Sequence, residues 1–407
     1  MKFKRTTLLT ISTYMFFVMT YIEDTIPFGQ VLTFLSLAMM ILSCHGLGRN
    51  GHSVPFKSGY LIYVAAFFMY SVASMVLWAE IPVRTLIIVR GMFMILIEMT
   101  IVYSCHYERT PIDTFLKILM DGGYIVVIYA VFRYGWSEIM TNLAEDIRIS
   151  NEFLNANTLG MCAAYAIVIN FYYMIYERPR LHDLLIIPSV VIIAASGSRK
   201  SIIIVVAGAL MLIVMRNRHN RRFVNNLLKS FLGIAVIVGL VFILSRLPMF
   251  SILRRRMVGL VAIISGTAER GTAGYIRMIY NQIGIDLFRK HPLFGIGLHN
   301  GIKYIGSYYG HVHFHNNYVE LLACGGLAGF LVYYSIYAYL LAGFWKTRKR
   351  RTNEYDICLI IFIIRMVMGY GHIQYYQIAT YFYLMIFFLL VTRLKKQNGD
   401  PMDAAQQ

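Results

Sequence analysis

HPLFGIGLHN (291–300), GIKYIGSYYG (301–310), HVHFHNNYVE (311–320) and LLACGGLAGF (321–330) form the stretch around which the chain is organised. It places a His-Pro turn, a glycine-rich run and three alternating histidines before a long apolar segment. Two asparagines, Asn316 and Asn317, lie between the histidines and that segment. Because titratable groups at the mouth of an apolar helix are costly unless they are paired or used, this stretch predicts a functional site at a membrane surface.

The composition is that of a membrane protein. Among 407 residues, 58% are hydrophobic and 14% are charged, compared with about 25% charged in a typical soluble domain. Apolar runs of about 17 to 25 residues recur from end to end, which predicts one all-α, polytopic transmembrane domain over residues 1–407. The net charge of +18 is then interpreted through the side of the membrane on which the basic residues lie. No nucleic-acid partner is expected.

Hydropathy predicts about twelve transmembrane helices. Four of them are short, namely those beginning at 183, 200, 356 and 376. The alternative is that the first two, or the last two, form a re-entrant hairpin. The basic and apolar N-terminus lacks a small-x-small cleavage site and predicts a retained first helix, whereas the tail 397–407 is expected to be disordered. The predicted spans are 8–22, 28–44, 59–78, 82–105, 114–132, 156–176, 183–196, 200–215, 230–247, 318–344, 356–368 and 376–392.

The positions of lysine and arginine predict the orientation, because cytoplasmic loops carry the excess of these residues. With both termini in the cytoplasm, more than half of the 38 basic residues fall on inside segments. The exceptions are the turn containing Arg199 and Lys200 and the long extracytoplasmic loop 248–317, which are basic although they lie outside. An anionic ligand at the outer face of the membrane would account for them.

The long outer loop contains a predicted amphipathic helix at 274–290. Arg277 lies off its apolar stripe, Pro292 ends the helix, and Gly295 with Gly297 makes the next turn tight. A long ordered loop in a compact protein is usually functional, so we expect this helix to lie on the outer membrane surface or to cap a cavity. Its apolar stripe consists of Ile276, Ile279, Tyr280, Ile283 and Leu287.

The alternating histidines His311, His313 and His315 allow three interpretations. On an extended strand they would share one face, as in a zinc site, but no Asp, Glu or Cys accompanies them before Glu320, and no metal is predicted. A neutral histidine can instead accept a proton from a sugar hydroxyl or donate a hydrogen bond to a phosphate. The third interpretation is solvation of a helix end. The five cysteines show no metal-ligand spacing and are interpreted as small apolar residues.

Two basic clusters are candidates for binding a diphosphate. The turn Ser196–Lys200 is either a plain turn whose cations reach lipid headgroups or a diphosphate site, since the arginine fork makes paired charge-assisted bonds. Arg254, within the run 254–256, has the same two interpretations. Charged residues inside the predicted spans are either paired structurally or line a polar groove for a lipid-linked substrate; they are Arg84, Arg90, Glu98, Lys117 and Arg365.

Over roughly residues 150–345 the chain resembles the O-antigen ligase and polymerase superfamily, which includes the Wzy-like polymerases of bacterial surface polysaccharides. FLNANTLG (153–160) is similar to the family's Asn-Pro-Asn segment, with Ala156 where proline is usual. ASGSRK (195–200) resembles its small-residue turn ending in arginine. GYIRMIYNQIGIDLFRKHPLFGIGLHN (274–300) and HVHFHNNYVELLACGGLAGF (311–330) resemble its Arg-containing helix with a Gly-x-Gly turn and its His-x-His-Asn-x-Tyr stretch.

The resemblance implies a GT-C-like, inverting and metal-independent glycosyltransferase without a cofactor. Its donor and acceptor would be undecaprenyl-diphosphate-linked glycans, and its other partners would be membrane lipids, a chain-length regulator and a flippase of the same pathway. The family's functional residues fall on Arg199, Arg277 and either His313 or His315, of which His315 is preferred because it directly precedes Asn316. The predicted site comprises His315, Arg277 and His313 as catalytic residues, Arg199, Lys200, Arg277 and Arg254 as diphosphate ligands, and Asn316 with His311 as supporting residues.

These features predict a cell-membrane enzyme that polymerises repeat units of capsule, exopolysaccharide or O-antigen on the outer face. A ligase that transfers finished glycan to lipid A core or another acceptor is the nearest alternative, since it shares the donor and the leaving group. A transporter or flippase of lipid-linked sugar also has about twelve helices, although such proteins more often contain internal repeats, which this sequence lacks.

Overall fold

The computed structural model describes residues 5–44, 58–78, 82–145, 147–149, 155–177, 180–217, 272–309 and 313–397. Within these ranges all regular structure is helical. The α-helices are α1 (Arg5–Ile22), α2 (Gly29–Cys44), α3 (Gly59–Trp78), α4 (Pro82–His106), α5 (Ile112–Tyr134), α6 (Trp136–Ala144), α7 (Ala156–Tyr176), α8 (Ile186–Ser196), α9 (Arg199–Asn217), α10 (Ala273–Lys290), α11 (Gly301–Tyr309), α12 (Asn317–Thr347), α13 (Asn353–Met368) and α14 (Ile378–Lys396).

The chain is a polytopic membrane protein. In the described ranges, 6 helices are long and apolar enough to cross a membrane, and they lie in α3, α4, α5, α7, α12 and α14. Every predicted span except 230–247 coincides with a helix. Residues 230–247 lie outside the described ranges, so the described helices do not reproduce the total of twelve. The 11 residues of α8 extend only about 16 Å, which is too short to cross a core of about 30 Å.

Two helices occupy the centre of the bundle. In α7 and α14, 78% and 72% of the apolar window is buried, compared with 33% in α3. Their sequences are apolar on all sides, as expected for helices surrounded by others. Aromatic residues fill much of the space between helices, including Phe16, Tyr103 and Tyr381, which are fully buried.

The connections between helices meet at two opposite ends of the bundle, as the predicted alternation of inside and outside loops requires. At one end, Lys396 pairs with Glu108. At the other end, the Asn317 N–H donates to the Gly369 carbonyl at 2.8 Å and the Ile149 N–H to the Ala195 carbonyl at 3.2 Å. Contacts of this kind bring the turn before α9, the stretch before α12 and the loop 369–377 together at one end.

The predicted charges within the spans differ in their surroundings. Lys117 pairs with Asp113 at 2.6 Å within α5, as the structural interpretation predicts. Arg90 is exposed and Glu98 is buried on α4, while the side chain of Arg84 lies outside the described residues. Arg365 is buried against tyrosine rings instead of a carboxylate among the described residues.

The predicted amphipathic helix is α10, and its apolar stripe faces the bundle. Tyr280 and Leu287 are buried, and Ile276 and Ile283 pack against the core. Gly284 lies so close to α12 that a Cβ there would be 2.3 Å from Val319. Helix α10 therefore covers the start of α12, and Arg277, beside the stripe, is exposed.

Candidate active site

A turn and a kink dock onto each other and hold the beginning of α12 in place. Gly326 has φ 58° and ψ −165° and interrupts α12, in a region of backbone space that only glycine readily adopts. The kink frees the N–H groups of Leu327 and Ala328, which donate to the carbonyls of Pro292 and Leu293 at 2.8 and 3.0 Å. In return the Ile296 N–H donates to the Ala323 carbonyl at 3.0 Å. The His-Pro turn and the Gly pair of the sequence thus form one unit.

Asn316 and Asn317 fix the first turn of α12. The Asn316 side-chain oxygen accepts from the N–H groups of Tyr318 and Val319 at 3.1 and 3.4 Å, which caps the helix. The Asn317 oxygen accepts from the N–H groups of Gln374 and Tyr375 at 2.7 and 3.2 Å. These bonds tie the histidine stretch to the loop 369–377 that follows α13.

His313 lies in a buried hydrogen-bond network. Its Nδ1 is 3.3 Å from Glu320 Oε1, and its Nε2 is 3.1 Å from the Tyr376 hydroxyl. Glu320 is fully buried and also accepts the Phe314 N–H at 2.9 Å. The His299 ring lies 4.9 Å from the His313 ring, measured between centroids. Since both nitrogens of His313 have partners, the network fixes the orientation of the ring.

His315 has different surroundings from His313. Its backbone is left-handed, with φ 58°, and its ring lies parallel to that of Tyr280 on α10 at 6.2 Å. It is also close enough to His372 to disfavour a positive charge there. His313 and His315, although only two residues apart in the sequence, therefore contact different sets of side chains.

A cluster of cations surrounds the start of α9 and the loop 369–377. The Lys200 ammonium donates to the Gly371 carbonyl, and the guanidinium groups of Arg277 and Arg148 lie close enough to repel it. Burial, together with the charges of Lys200, Arg365 and His315, lowers the pKa of His372 to about 3, so His372 is neutral at physiological pH. We call Arg148, Lys200 and Arg277 the cationic cluster.

The turn before α9 is held by small residues. Gly197 is left-handed and ends α8, as glycine commonly does, while Ser196, Ser198 and Ser201 are buried. A Cβ on Gly160 of α7 would lie 2.6 Å from the hydroxyls of Ser196 and Ser201, so helix and turn are in close contact. Arg148 donates to the Ser196 carbonyl at 2.7 Å and to Asn157 Oδ1 at 3.0 Å.

The structure brings several of the predicted site residues together and leaves others undescribed. Lys200, Arg277 and His315 lie around the loop 369–377, His313 and Asn316 flank His315, and Arg199 is the half-buried first residue of α9. Arg254 and His311 lie outside the described residues. In the described ranges, no group of three His, Cys, Asp or Glu side chains is arranged to hold a metal ion.

Sequence reasoning missed four residues of this region, namely Arg148, Glu320, His372 and Tyr376. The segment GYGHIQYYQ (369–377) is a polar interruption between two apolar segments, and this signal could have identified His372 and Tyr376. The local sequence around Arg148 gives no comparable signal, because its loop is otherwise acidic. Glu320 was interpreted as part of the helix, and it lies there, facing His313.

Comparison with known proteins identifies the same part of the chain. Residues 184–334 match the family model described as O-Antigen ligase, Wzy_C, whereas no curated protein matches the chain. The matched residues include the turn Ser196–Lys200, helix α10 with Arg277, and the stretch with His313 and His315. This match over residues 184–334 confirms the resemblance of the chain to the O-antigen ligase/polymerase superfamily.

Proposed function

We propose that the protein is a glycosyltransferase that polymerises undecaprenyl-diphosphate-linked oligosaccharide repeat units into surface polysaccharide on the outer face of the cell membrane. The observation that carries the proposal is the position of His315 beside His372 and the cationic cluster, at one end of the bundle. A proton acceptor next to several cations suits a reaction in which a hydroxyl attacks and a diphosphate leaves. The match to a family of glycosyl-transfer enzymes supports the same class of reaction.

The proposed reaction is a single displacement with inversion. A hydroxyl of the acceptor sugar attacks the anomeric carbon of the donor, the bond between that carbon and the diphosphate oxygen breaks, and its electron pair stays on the diphosphate. His315 accepts the hydroxyl proton. Arg277, Lys200 and Arg199 stabilise the growing negative charge of the leaving group, since preorganised charges act most strongly where charge develops in the transition state. With these cations, the reaction needs no metal.

His313 is the alternative base, but its contacts suit a positioning role better. Both of its ring nitrogens are bonded, to Glu320 and to Tyr376, and Asn316 begins α12 immediately after His315. In this assignment the network of His313, Glu320 and Tyr376 holds the short segment that carries His315. Hydrogen bonds of this kind, made to the segment that carries a catalytic group, keep that group in a productive geometry.

The test uses the purified protein with a lipid-diphosphate-linked repeat unit as the only glycan. We expect longer products in the wild type and a rate reduced by about 10²-fold or more in Arg277→Ala and His315→Ala, with a similar effect of Arg199→Ala. Arg289→Ala is the matched control, because Arg289 lies on the same helix, is exposed and pairs with Asp286 at 3.3 Å. It should retain wild-type activity.

Four other outcomes would change the proposal. Normal polymer from both Arg277→Ala and His315→Ala would refute the site, and inhibition by a chelator would favour the metal interpretation of the histidines. Absence of any new glycosidic bond would favour the transporter. A ligase differs in the cell, because its loss leaves long lipid-linked polymer, whereas loss of a polymerase leaves single repeat units.

A further inference from the structure

A cavity of about 260 Å³ lies between α1, α7, α13, α14 and the loop 369–377. Its walls include the rings of Tyr165 and Tyr376 and the amides of Gln374 and Gln377. The cavity adjoins the candidate active site, since the Tyr376 hydroxyl is 3.1 Å from His313 Nε2 and His372 lines the cavity beside Lys200. A group bound here would therefore lie next to the reacting groups.

Arg365 is a buried cation in the wall of this cavity. Its side chain is 7% exposed, its Nη2 donates to the Thr380 hydroxyl at 2.7 Å, and its guanidinium lies 4.4 Å from the centre of the Tyr383 ring. Among the described residues, its Nε has no hydrogen-bond partner and no carboxylate forms an ion pair with it. A buried guanidinium is costly without an anion, and the cavity leaves room for one.

We propose that the cavity binds one acidic sugar residue of the substrate glycan, with the sugar carboxylate paired to Arg365. This inference rests on the proposed function, because it names the class of glycan that the enzyme takes. A single planar guanidinium matches a carboxylate through two parallel hydrogen bonds. The Gln377 amide suits a sugar hydroxyl, and the tyrosine rings suit the apolar face of a pyranose, as in other sites that combine apolar walls with a few polar groups.

The size and charge of the cavity favour a sugar over the lipid diphosphate. Its volume lies just below the range of about 300 to 1,000 Å³ for drug-sized ligands, which suits a single sugar residue. A diphosphate carries more negative charge than one guanidinium balances, and it is better matched by the cationic cluster at the start of α9. The two anions of an acidic substrate would then have separate cationic partners.

Binding of small probes tests this inference without any need for activity. The full-length protein in detergent is titrated with glucuronate, glucose, inorganic phosphate and pyrophosphate at constant ionic strength, and binding is followed by saturation-transfer NMR. We expect glucuronate to bind more tightly than glucose, and Arg365→Gln to weaken glucuronate binding by about tenfold or more. His315→Ala should retain glucuronate binding, which separates this subsite from the proposed base.

A second variant covers the case in which Arg365→Gln fails to fold. Thr158→Phe places a larger side chain at the cavity wall without changing its charge, and it should also abolish glucuronate binding while the protein still elutes as a single folded species. Equal binding of glucuronate and glucose, or no glucuronate binding to the wild type, would overturn the proposal. Phosphate or pyrophosphate binding that depends on Arg365 would assign the cavity to the leaving group instead. If glucuronate binds as expected but no polymer forms, the proposed function fails while the subsite stands.

Discussion

His372 shows how one buried residue links the stability of the protein to pH. Its Nε2 lies 3.0 Å from Gln377 Oε1, so the ring donates to the amide oxygen. Burial is the main cause of its low pKa, followed by the charge of Lys200 and then those of Arg365 and His315. The uncharged form is thus favoured first by burial and then by nearby cations, of which Lys200 belongs to the cationic cluster.

We predict that the folded protein loses stability below about pH 6.5. The folded state holds the pKa of His372 near 3, below the ordinary value of 6.5, so between these values the unfolded state binds more protons. The free energy of unfolding should then fall as the pH is lowered, by up to about 1.4 kcal/mol per pH unit from this group. Thermal unfolding in detergent between pH 7 and 5 measures the effect.

Substitution identifies the group responsible for that slope. His372→Gln cannot be protonated and should flatten the dependence of the melting temperature on pH, whereas His291→Gln, at an exposed position after α10, should leave it unchanged. An unaltered slope in His372→Gln would show that other groups set the acid sensitivity.

At the scale of the element, the kink in α12 makes the strongest prediction. Gly326→Ala would place a Cβ 2.5 Å from the backbone of Leu293 and Gly295 and force alanine into a backbone region that costs about 1 to 3 kcal/mol. We expect loss of folded protein or a marked fall in melting temperature. Gly325→Ala is the neighbouring control, since its Cβ would meet Leu298 and Tyr70 at ordinary distances of 3.6 Å, and it should fold normally.

The helices were predictable from the sequence because each depends on local pattern. The lengths of the apolar runs predicted the ends of α3, α5 and α7 to within a few residues. The apolar stripe from Ile276 to Leu287 predicted the ends of α10 almost to the residue. The kink at Gly326 was not predictable, since it exists only because the turn at Pro292 docks there.

The candidate site was predictable only in part, because its contacts, like the kink at Gly326, join distant parts of the chain. Arg277, Lys200 and His315 were indicated by their residue types and by their presence on the outer side of the predicted topology. Their partners were not, because Lys200 meets the Gly371 carbonyl across a separation of 171 residues, and His313 meets Tyr376 across 63. Contacts of this range follow from helix packing, which residue patterns along the chain do not specify.

At the scale of the whole molecule, the contacts between helices place the connections at two opposite ends of the bundle. The end with the cationic cluster also holds the turn at Pro292 and the loop 369–377. The opposite end holds the Lys396–Glu108 pair and the exposed basic run from Arg348 to Arg350. The excess of basic residues in cytoplasmic loops predicts that this second end is inside, and the active site is then extracytoplasmic.

Labelling of single cysteines in intact cells tests this orientation. In a Cys44→Ser background the remaining native cysteines are buried, so that a membrane-impermeant maleimide reports only on cysteines introduced at exposed positions. Lys303→Cys, on α11, and Lys349→Cys, after α12, are both exposed sites at opposite ends of the bundle. We expect the first to react in intact cells and the second only after permeabilisation. The reverse pattern would put the cationic cluster in the cytoplasm, where a glycan displayed on the outer leaflet cannot reach it, and would exclude polymerisation at the outer face.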